Sequence, residues 1–469
     1  MQRLEDADAL AVPIEETPEK AAHIVWALAW PAVALNSLQV VNNLLDSAFV
    51  GHLPAAALTA QSASMSIMFL MFSLAMALGT ASTALVSRAF GAGQVSEFRT
   101  ACRKCLTLSI LSGVVLAGLS ALVASPAARV LLPATDTEAI SLMARFVSIY
   151  ALGLPAIYLI QTLAGALRGI GDTRSPMVIS GIQIILHIAL NFILIFPPRS
   201  FSSGITIPGF NMGLLGASTA LAVSSWLSAL GYLWYSGRTP LGEAWRLGWV
   251  EPAWITRILK IAVPAAGMAV LRVASLALFT IALKGVANGS NAIAGMRVGF
   301  AIESIMFMPA FGLSMASAAL VGQSLGMKRP DRAERLAWVA AHHAALVTAA
   351  CVVPIFVFAP QVAGLMIEGK PLMTAEAIDL IRWLCVTEIG FAYAMVMIGA
   401  MQGAGDTVRP LWITIISLWV LRVPLTFIFA WGLGWGSNGA WFAMSFSQAV
   451  QGVLSVIAFR RGAWKLKTV

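Results

Sequence analysis

A twelve-residue pattern occurs twice in this chain and divides it into two similar halves. The pattern is GALRGIGDTRSP at 165–176 and GAMQGAGDTVRP at 399–410, with seven identical positions at a constant spacing of 234 residues in a chain of 469. Each copy follows one long apolar run and precedes another. We expect each copy to form a turn between two membrane helices, with glycines for tight bends, Asp-Thr as a cap and proline to open the next helix.

The composition places the chain in a bilayer. Hydrophobic residues make up 59% and charged residues 11% of the sequence, whereas about a quarter of a soluble domain is charged. Apolar runs of roughly 20 residues, the length that spans a membrane, occur twelve times, six in each half. We predict an all-α membrane protein with twelve transmembrane helices in two parallel, pseudo-symmetric six-helix bundles.

The repeat also predicts the domain organisation. Five segments are expected: a cytoplasmic N-terminal tail at 1–23, an N-terminal six-helix lobe at 24–236, a cytoplasmic linker at 237–254, a C-terminal six-helix lobe at 255–460 and a cytoplasmic tail at 461–469. With the N-terminus inside, 21 basic residues fall in inner segments and seven in outer segments. By the positive-inside rule, both termini are cytoplasmic in the inner membrane. The net charge of +9 is thereby explained without a nucleic-acid partner.

Several motifs in both halves resemble the multidrug and toxic compound extrusion (MATE) family. They are 46–51 (DSAFVG), 90–94 (FGAGQ), the two GAxxGxGDTxxP turns, Leu190-Asn191 and 422–424 (RVP). The segment 297–326, with Ile302-Glu303-Ser304, resembles the DinF-like branch. The resemblance implies a twelve-helix antiporter with a V-shaped central cleft, which exports amphipathic, often cationic organic compounds in exchange for protons or sodium. Many relatives carry an aspartate four residues after the Leu-Asn pair, where this chain has Ile195, so one candidate cation ligand is missing.

Ionisable groups inside a bilayer are costly and are therefore functional candidates. Those well inside the predicted helices are Asp46, His187, Arg272, Glu303, Glu388 and Arg422. Asp46 lies in a half with no deeply placed Lys or Arg. A carboxyl group removed from water and from cations favours its protonated form, which suits a proton carrier, and the resemblance places a functional aspartate at the same position. The alternative is a structural Asp46 that caps its helix or bonds to Asn42, Asn43 or Ser47.

Two acids and two arginines are expected deep in the second half. Glu303 and Glu388 either pair with Arg272 and Arg422 as buried ion pairs or serve as further cation-coupling carboxylates. His187 either shares protons with Asp46 or packs between helices as a hydrogen-bonded core residue.

Polar and flexible side chains are the candidates for a substrate cavity. They are Asn36, Gln39, Asn42, Asn43, His187, Asn191, Met65, Met68 and Met306. Asparagines can instead bond between helices, and methionines can pack or face lipid. Pro31 interrupts the helix that carries Asp46, and we predict that protonation of Asp46 bends this helix at Pro31.

No catalytic motif, cofactor motif or metal site is expected. The Cys102/Cys105 pair has CxxC spacing but no second ligand pair, so we expect reduced thiols. The predicted function is export of small organic molecules through the bilayer by a monomer, coupled to protons rather than sodium. The alternatives are a lipid-linked oligosaccharide or lipid flippase of the same superfamily, and an intramembrane enzyme or structural component.

Overall fold

The computed structural model describes residues 18–200, 206–244, 247–367 and 369–468. Within these ranges, twelve helices are long and apolar enough to cross a membrane, which confirms the predicted number of spans and the fold class. Most of the predicted N-terminal tail lies outside the described residues, and the first helix begins at Pro18. The helices are α1 Pro18–Gly51, α2 Ala55–Gly91, α3 Val95–Leu131, α4 Thr137–Gly169, α5 Arg174–Ile195, α6 Leu214–Ser236, α7 Pro252–Lys284, α8 Gly289–Gly326, α9 Pro330–Val357, α10 Pro371–Gly403, α11 Val408–Gly432 and α12 Gly436–Arg460.

Short elements connect these helices. Strand β1 (Arg199–Ser200) pairs antiparallel with β2 (Thr206–Ile207) in the connection after α5. A short helix, Ala359–Met366, lies between α9 and α10. Helix α11 departs from regular α geometry, with wide π-type turns at Ile415–Arg422 and Ile428–Gly432. Such turns are often found at functional sites, and Arg422 lies in the first of them.

The described residues form two compact units. The first unit contains 37–89 and 93–262, and the second contains 18–36, 90–92 and 263–468. These boundaries differ from the predicted lobes in three places: at the start of α1, at residues 90–92 and around the predicted linker. At the start of α1, Ala21, Val25 and Ala29 are fully buried in an apolar cluster of the second unit. Burial of these small side chains groups the first half of α1 with the second unit.

The predicted linker is attached to the first unit by charged side chains. Lys104 on α3 is buried, and its Nζ donates to the Trp249 carbonyl at 2.5 Å and pairs with Glu251 at 2.6 Å. The hydrogen bond from Lys104 lowers the pKa of the exposed Glu251 carboxyl. Arg257 pairs with Glu97 at 2.5 Å. These contacts explain why residues 247–262 group with the first unit rather than with the helices that follow.

The repeated pattern performs two tasks, only one of which the sequence predicted. Its third glycine, Gly171 or Gly405, has a φ of +88° or +83°, and this left-handed conformation makes the expected bend. The first two glycines lie inside helices α4 and α10 instead. A Cβ on Gly165 would lie 2.3 Å from the Gly79 carbonyl oxygen of α2, so these glycines allow two helix backbones to touch.

The second half repeats the same contact between α10 and α8. A Cβ on Gly399 would lie 2.2 Å from the Ser314 side chain, and one on Gly403 would lie 2.0 Å from the Ala318 carbonyl oxygen. Ser314 stands 235 residues after Gly79, and Gly399 stands 234 after Gly165. The two halves therefore share a packing contact as well as a sequence pattern.

Candidate functional site

The Asp46 carboxylate accepts hydrogen bonds from side chains of two helices of the first unit. Asn191 Nδ2 donates to Oδ1 at 2.7 Å, and Asn42 Nδ2 donates to Oδ2 at 3.3 Å. His187 Nε2 lies 3.1 Å from Oδ1 and 3.2 Å from Oδ2. Asn42 is one turn before Asp46 on α1, and His187 is one turn before Asn191 on α5, so each helix presents both of its residues on one face.

The carboxylate is the accessible member of this group. Asn42, His187 and Asn191 are buried, whereas 30% of the Asp46 side chain is exposed. Of the two open alternatives for His187, the structure shows direct contact with Asp46. The histidine is thus both buried between helices and part of the candidate proton site.

Three buried polar atoms around Asp46 lack a partner among the described residues. They are Asn42 Oδ1, Asn191 Oδ1 and His187 Nδ1. His187 Nε2 also lies 3.1 Å from Asn191 Nδ2, so this ring nitrogen contacts both the carboxylate and one of its amide donors. The nitrogen atoms of both amides are aimed at Asp46, so the carboxylate is surrounded by N–H donors.

The other predicted cavity residues lie in different environments. Gln39 and Asn43 are exposed, and Gln39 Nε2 donates to Asn43 Oδ1 at 3.1 Å. Asn36 is half-buried and belongs to the second unit, as does the buried hinge candidate Pro31. Asn36 and Asp46 are therefore part of different compact units, although they share a helix.

The three candidate methionines differ in burial. Met65 is exposed, and Met68 packs partly buried on an apolar cluster of the first unit. Met306 has no exposed surface, and its sulfur lies 3.8 Å from that of Cys385. The structure thus puts Met306 in the core of the second unit rather than on a cavity wall, because its helix turns this face toward α10.

A second polar cluster lies in the second unit around Glu303 of α8. Gln448 Nε2 of α12 donates to Glu303 Oε1 at 3.0 Å, and Thr387 Oγ1 of α10 donates to Gln448 Oε1 at 3.2 Å. The adjacent Glu388 is 1% exposed, and its Oε2 has no partner in the described part of the chain. Glu303 is thus bonded to an amide group, whereas Glu388 is next to Thr387 in the sequence and has no hydrogen bond to this cluster among the described residues.

The expected ion pairs of the two glutamates do not form between the described side chains. Neither Glu303 nor Glu388 has a Lys or Arg nitrogen within 4.0 Å in the described ranges. Arg422 Nε donates instead to Ser447 Oγ at 2.9 Å. Pairing with arginines was one of two alternatives for these acids, and Arg422 bonds to a hydroxyl group instead.

Sequence reasoning missed Gln448, Thr387 and Ser447 as members of this cluster. Their signal is present in α12, a membrane-spanning helix in which Ser447, Gln448 and Gln451 are buried, as are Ser445 and Ser455. Buried polar residues in a membrane helix require partners, so this group was detectable, although its partners were not.

A family model described as MatE matches residues 31–193 and 264–428, one segment in each half. The chain belongs to this family. The probable multidrug resistance protein NorM of Thermotoga maritima is 28% identical over 98% of this chain and 96% of its own length. Protein DETOXIFICATION 30 of Arabidopsis thaliana is 23% identical over 94% of this chain and 86% of its own length. This MATE protein is a multi-pass membrane transporter and not an enzyme.

A solved structure shares the fold of this MATE protein. The crystal structure of MATE in complex with MaL6 matches with a TM-score of 0.86 and 22% identity, and covers 96% of this chain and 98% of that chain. The likeness extends over nearly the whole chain, so all twelve helices belong to one known fold.

Proposed function

We propose that this MATE protein is an antiporter that exports amphipathic, cationic organic compounds from the cytoplasm in exchange for protons, with Asp46 as the proton carrier. The observation that carries the proposal is the partly exposed Asp46 carboxylate bound by Asn42, His187 and Asn191. Such a carboxylate can bind either a proton or a cationic substrate, but not both at the same time. Binding of one therefore releases the other, and this exchange couples their transport. The names of the relatives, multidrug resistance protein and DETOXIFICATION, fit such substrates.

The donors around Asp46 favour a proton over sodium. Sodium needs several oxygen ligands, whereas His187 and the two amides all direct nitrogen atoms at the carboxylate. The amides can rotate to offer oxygen, but the imidazole has no oxygen to offer. Ile195, where relatives carry an aspartate, removes a further oxygen ligand. A proton needs none of these ligands.

Glu303 and Glu388 are proposed as a second pair of coupling carboxylates. Glu388 is buried and Glu303 is half-buried, and ionisable groups placed inside a bilayer are functional candidates. Exchange through two clusters in one monomer would allow more than one proton per substrate.

The test of the coupling ion is ethidium efflux from proteoliposomes. A proton gradient directed into the cytoplasmic side is expected to drive ethidium export. A sodium gradient of equal size and direction, at uniform pH, is expected to leave the ethidium efflux rate equal to the passive leak. Sodium-driven export would contradict the proton proposal. It would instead favour Glu303 and Glu388 as the coupling site. Movement of a lipid-linked oligosaccharide, with no ethidium efflux under either gradient, would support the flippase alternative.

Pro31 is proposed as the bending point of α1. The helix continues through Pro31, and five residues later it passes from the second unit to the first, which holds Asp46. Proline removes one backbone hydrogen bond and costs about 3 kcal/mol inside a helix, so bending is easier there. Protonation of Asp46 changes its bonds to α5 and thereby releases the outer half of α1.

Pro31→Ala is expected to slow proton-driven efflux by about tenfold, because restoring the missing hydrogen bond raises the cost of bending by at least ~1.4 kcal/mol. Pro126→Ala on α3, which also replaces a proline inside a helix, serves as the control and should leave the rate unchanged. If proteoliposomes with Pro31→Ala exported ethidium at the wild-type rate, bending at Pro31 would not be a step of transport.

A further inference from the structure

A groove runs between α5 and α6 of the first unit, away from Asp46 and the other candidate coupling residues. Its volume is about 420 Å³, within the range of small-molecule sites. One wall is the α5 face that includes Val178, Ile182 and Leu186, and the other is the α6 face that includes Leu227 and Gly231. Val178 and Ile182 are more than half exposed, so the groove opens sideways toward the surrounding bilayer.

The groove has the length of one lipid leaflet. It extends along α5 from Arg174 to Leu186, twelve residues that rise about 18 Å in a helix. Half of a bilayer's hydrocarbon core is about 15 Å thick. An acyl chain that enters at Arg174 would therefore reach the middle of the membrane at Leu186.

The mouth of the groove is basic and aromatic. Arg174 is exposed there, and the Arg238 guanidinium stacks on Trp234 with 3.7 Å to the ring centroid. The nearby Asp172 carboxylate accepts from Tyr235 Oη at 2.8 Å and from the Ser175 N–H at 3.0 Å. The described side chains at this end include two guanidinium groups, those of Arg174 and Arg238, and one carboxylate, so positive charge exceeds negative charge there. The distribution of basic residues predicts that this end is cytoplasmic.

We propose that this groove binds one anionic phospholipid of the cytoplasmic leaflet. The phosphate lies between Arg174 and Arg238, and one acyl chain fills the channel as far as Leu186. The two arginines distinguish this lipid from a zwitterionic one, because each basic residue near an anionic headgroup adds a factor of about five to binding.

The experiment is photo-crosslinking in vesicles with phosphatidylglycerol that carries a diazirine in its acyl chain. After irradiation and digestion, label is expected on peptides covering 178–186 and 227–235. Arg174→Gln should reduce the label about fivefold, and the double variant with Arg238→Gln about 25-fold. Arg460→Gln removes one positive charge at the end of α12 and is the matched control, which should keep full labelling.

Gly231→Leu tests the channel itself. A Cβ on Gly231 meets Ile179 at 3.4 Å, which is an ordinary contact, and a leucine there would occupy the acyl-chain space. Gly118→Leu on α3 is the control, because a Cβ at Gly118 meets no atom within 4 Å. It measures the effect of a glycine-to-leucine change in a helix outside the groove. We expect the Gly231→Leu variant to lose the label. Its unfolding temperature should equal that of the Gly118→Leu variant.

Three results would overturn the proposal. The first is equal labelling by phosphatidylcholine and phosphatidylglycerol probes. The second is labelling of ordinary lipid-facing positions, such as the 76% exposed Leu122, as strongly as the groove. The third is an equal loss of label in Arg460→Gln, which would indicate attraction by overall charge.

Discussion

Asp46→Asn is expected to reduce proton-driven ethidium export to the rate of protein-free vesicles. The amide keeps the size of the carboxyl group but cannot take up and release a proton near neutral pH, so the exchange loses its carrier. The amide also offers one oxygen where the carboxylate offers two, and the donors Asn42, His187 and Asn191 then compete for it. A donor left without an acceptor costs about 1–3 kcal/mol, so the unfolding temperature should fall moderately.

A control must separate loss of the proton carrier from loss of a membrane carboxylate in general. Glu376 on α10 accepts from Ser437 Oγ at 2.8 Å and from Trp441 Nε1 at 3.3 Å. Glu376→Gln thus removes a carboxylate that has two donors, against three around Asp46, and that lies outside both candidate coupling clusters. We expect this variant to lose similar stability and to retain export. Proton-driven export by Asp46→Asn at more than half of the Glu376→Gln rate would exclude Asp46 as the carrier.

The Asp46 cluster shows how far sequence reasoning extends into a site. Asn42 stands four residues before Asp46, and Asn191 stands four after His187, so each helical pair was predictable from spacing. The meeting of these two pairs was not, because it depends on how α1 and α5 rotate about their axes. The same unknown rotation explains why Arg422 bonds to Ser447 rather than to a glutamate.

The repeat predicted the fold well but does not extend to the charges. At the 233-residue spacing that relates Pro31 to Pro264, the counterpart of Asp46 is Phe279, which is fully buried in an apolar cluster. At a spacing of 235, the counterpart of Glu303 is Met68, which packs on a different apolar cluster. The halves therefore share backbone packing, while each carries its own acids on helices that are apolar at the matching place in the other half.

Shared packing makes the pattern glycines the most sensitive positions for stability. Gly403→Ala places a methyl group where the Ala318 carbonyl oxygen lies 2.0 Å away. The methyl carbon is attached directly to the α10 backbone and the oxygen belongs to the α8 backbone. Neither atom can rotate away, so α8 and α10 must separate over a long, closely packed contact. Overpacking of this kind costs about 1–3 kcal/mol and occasionally more, and we expect the upper end of that range, measured as a large drop in unfolding temperature in detergent.

The same helix supplies the matched control, since Gly390 also lies in α10 but a Cβ there meets no atom within 4 Å. Gly390→Ala should be neutral or gain up to about 1 kcal/mol, because alanine has the higher helix propensity. Gly165→Ala in the first half should behave like Gly403→Ala, since its Cβ would lie 2.3 Å from the Gly79 carbonyl oxygen. Equal stability of Gly403→Ala and Gly390→Ala would mean that the repeated glycines act only through the turns that follow them. Loss in both Gly165→Ala and Gly403→Ala would instead identify close approach of helix backbones as the reason why the two halves keep the same glycine spacing.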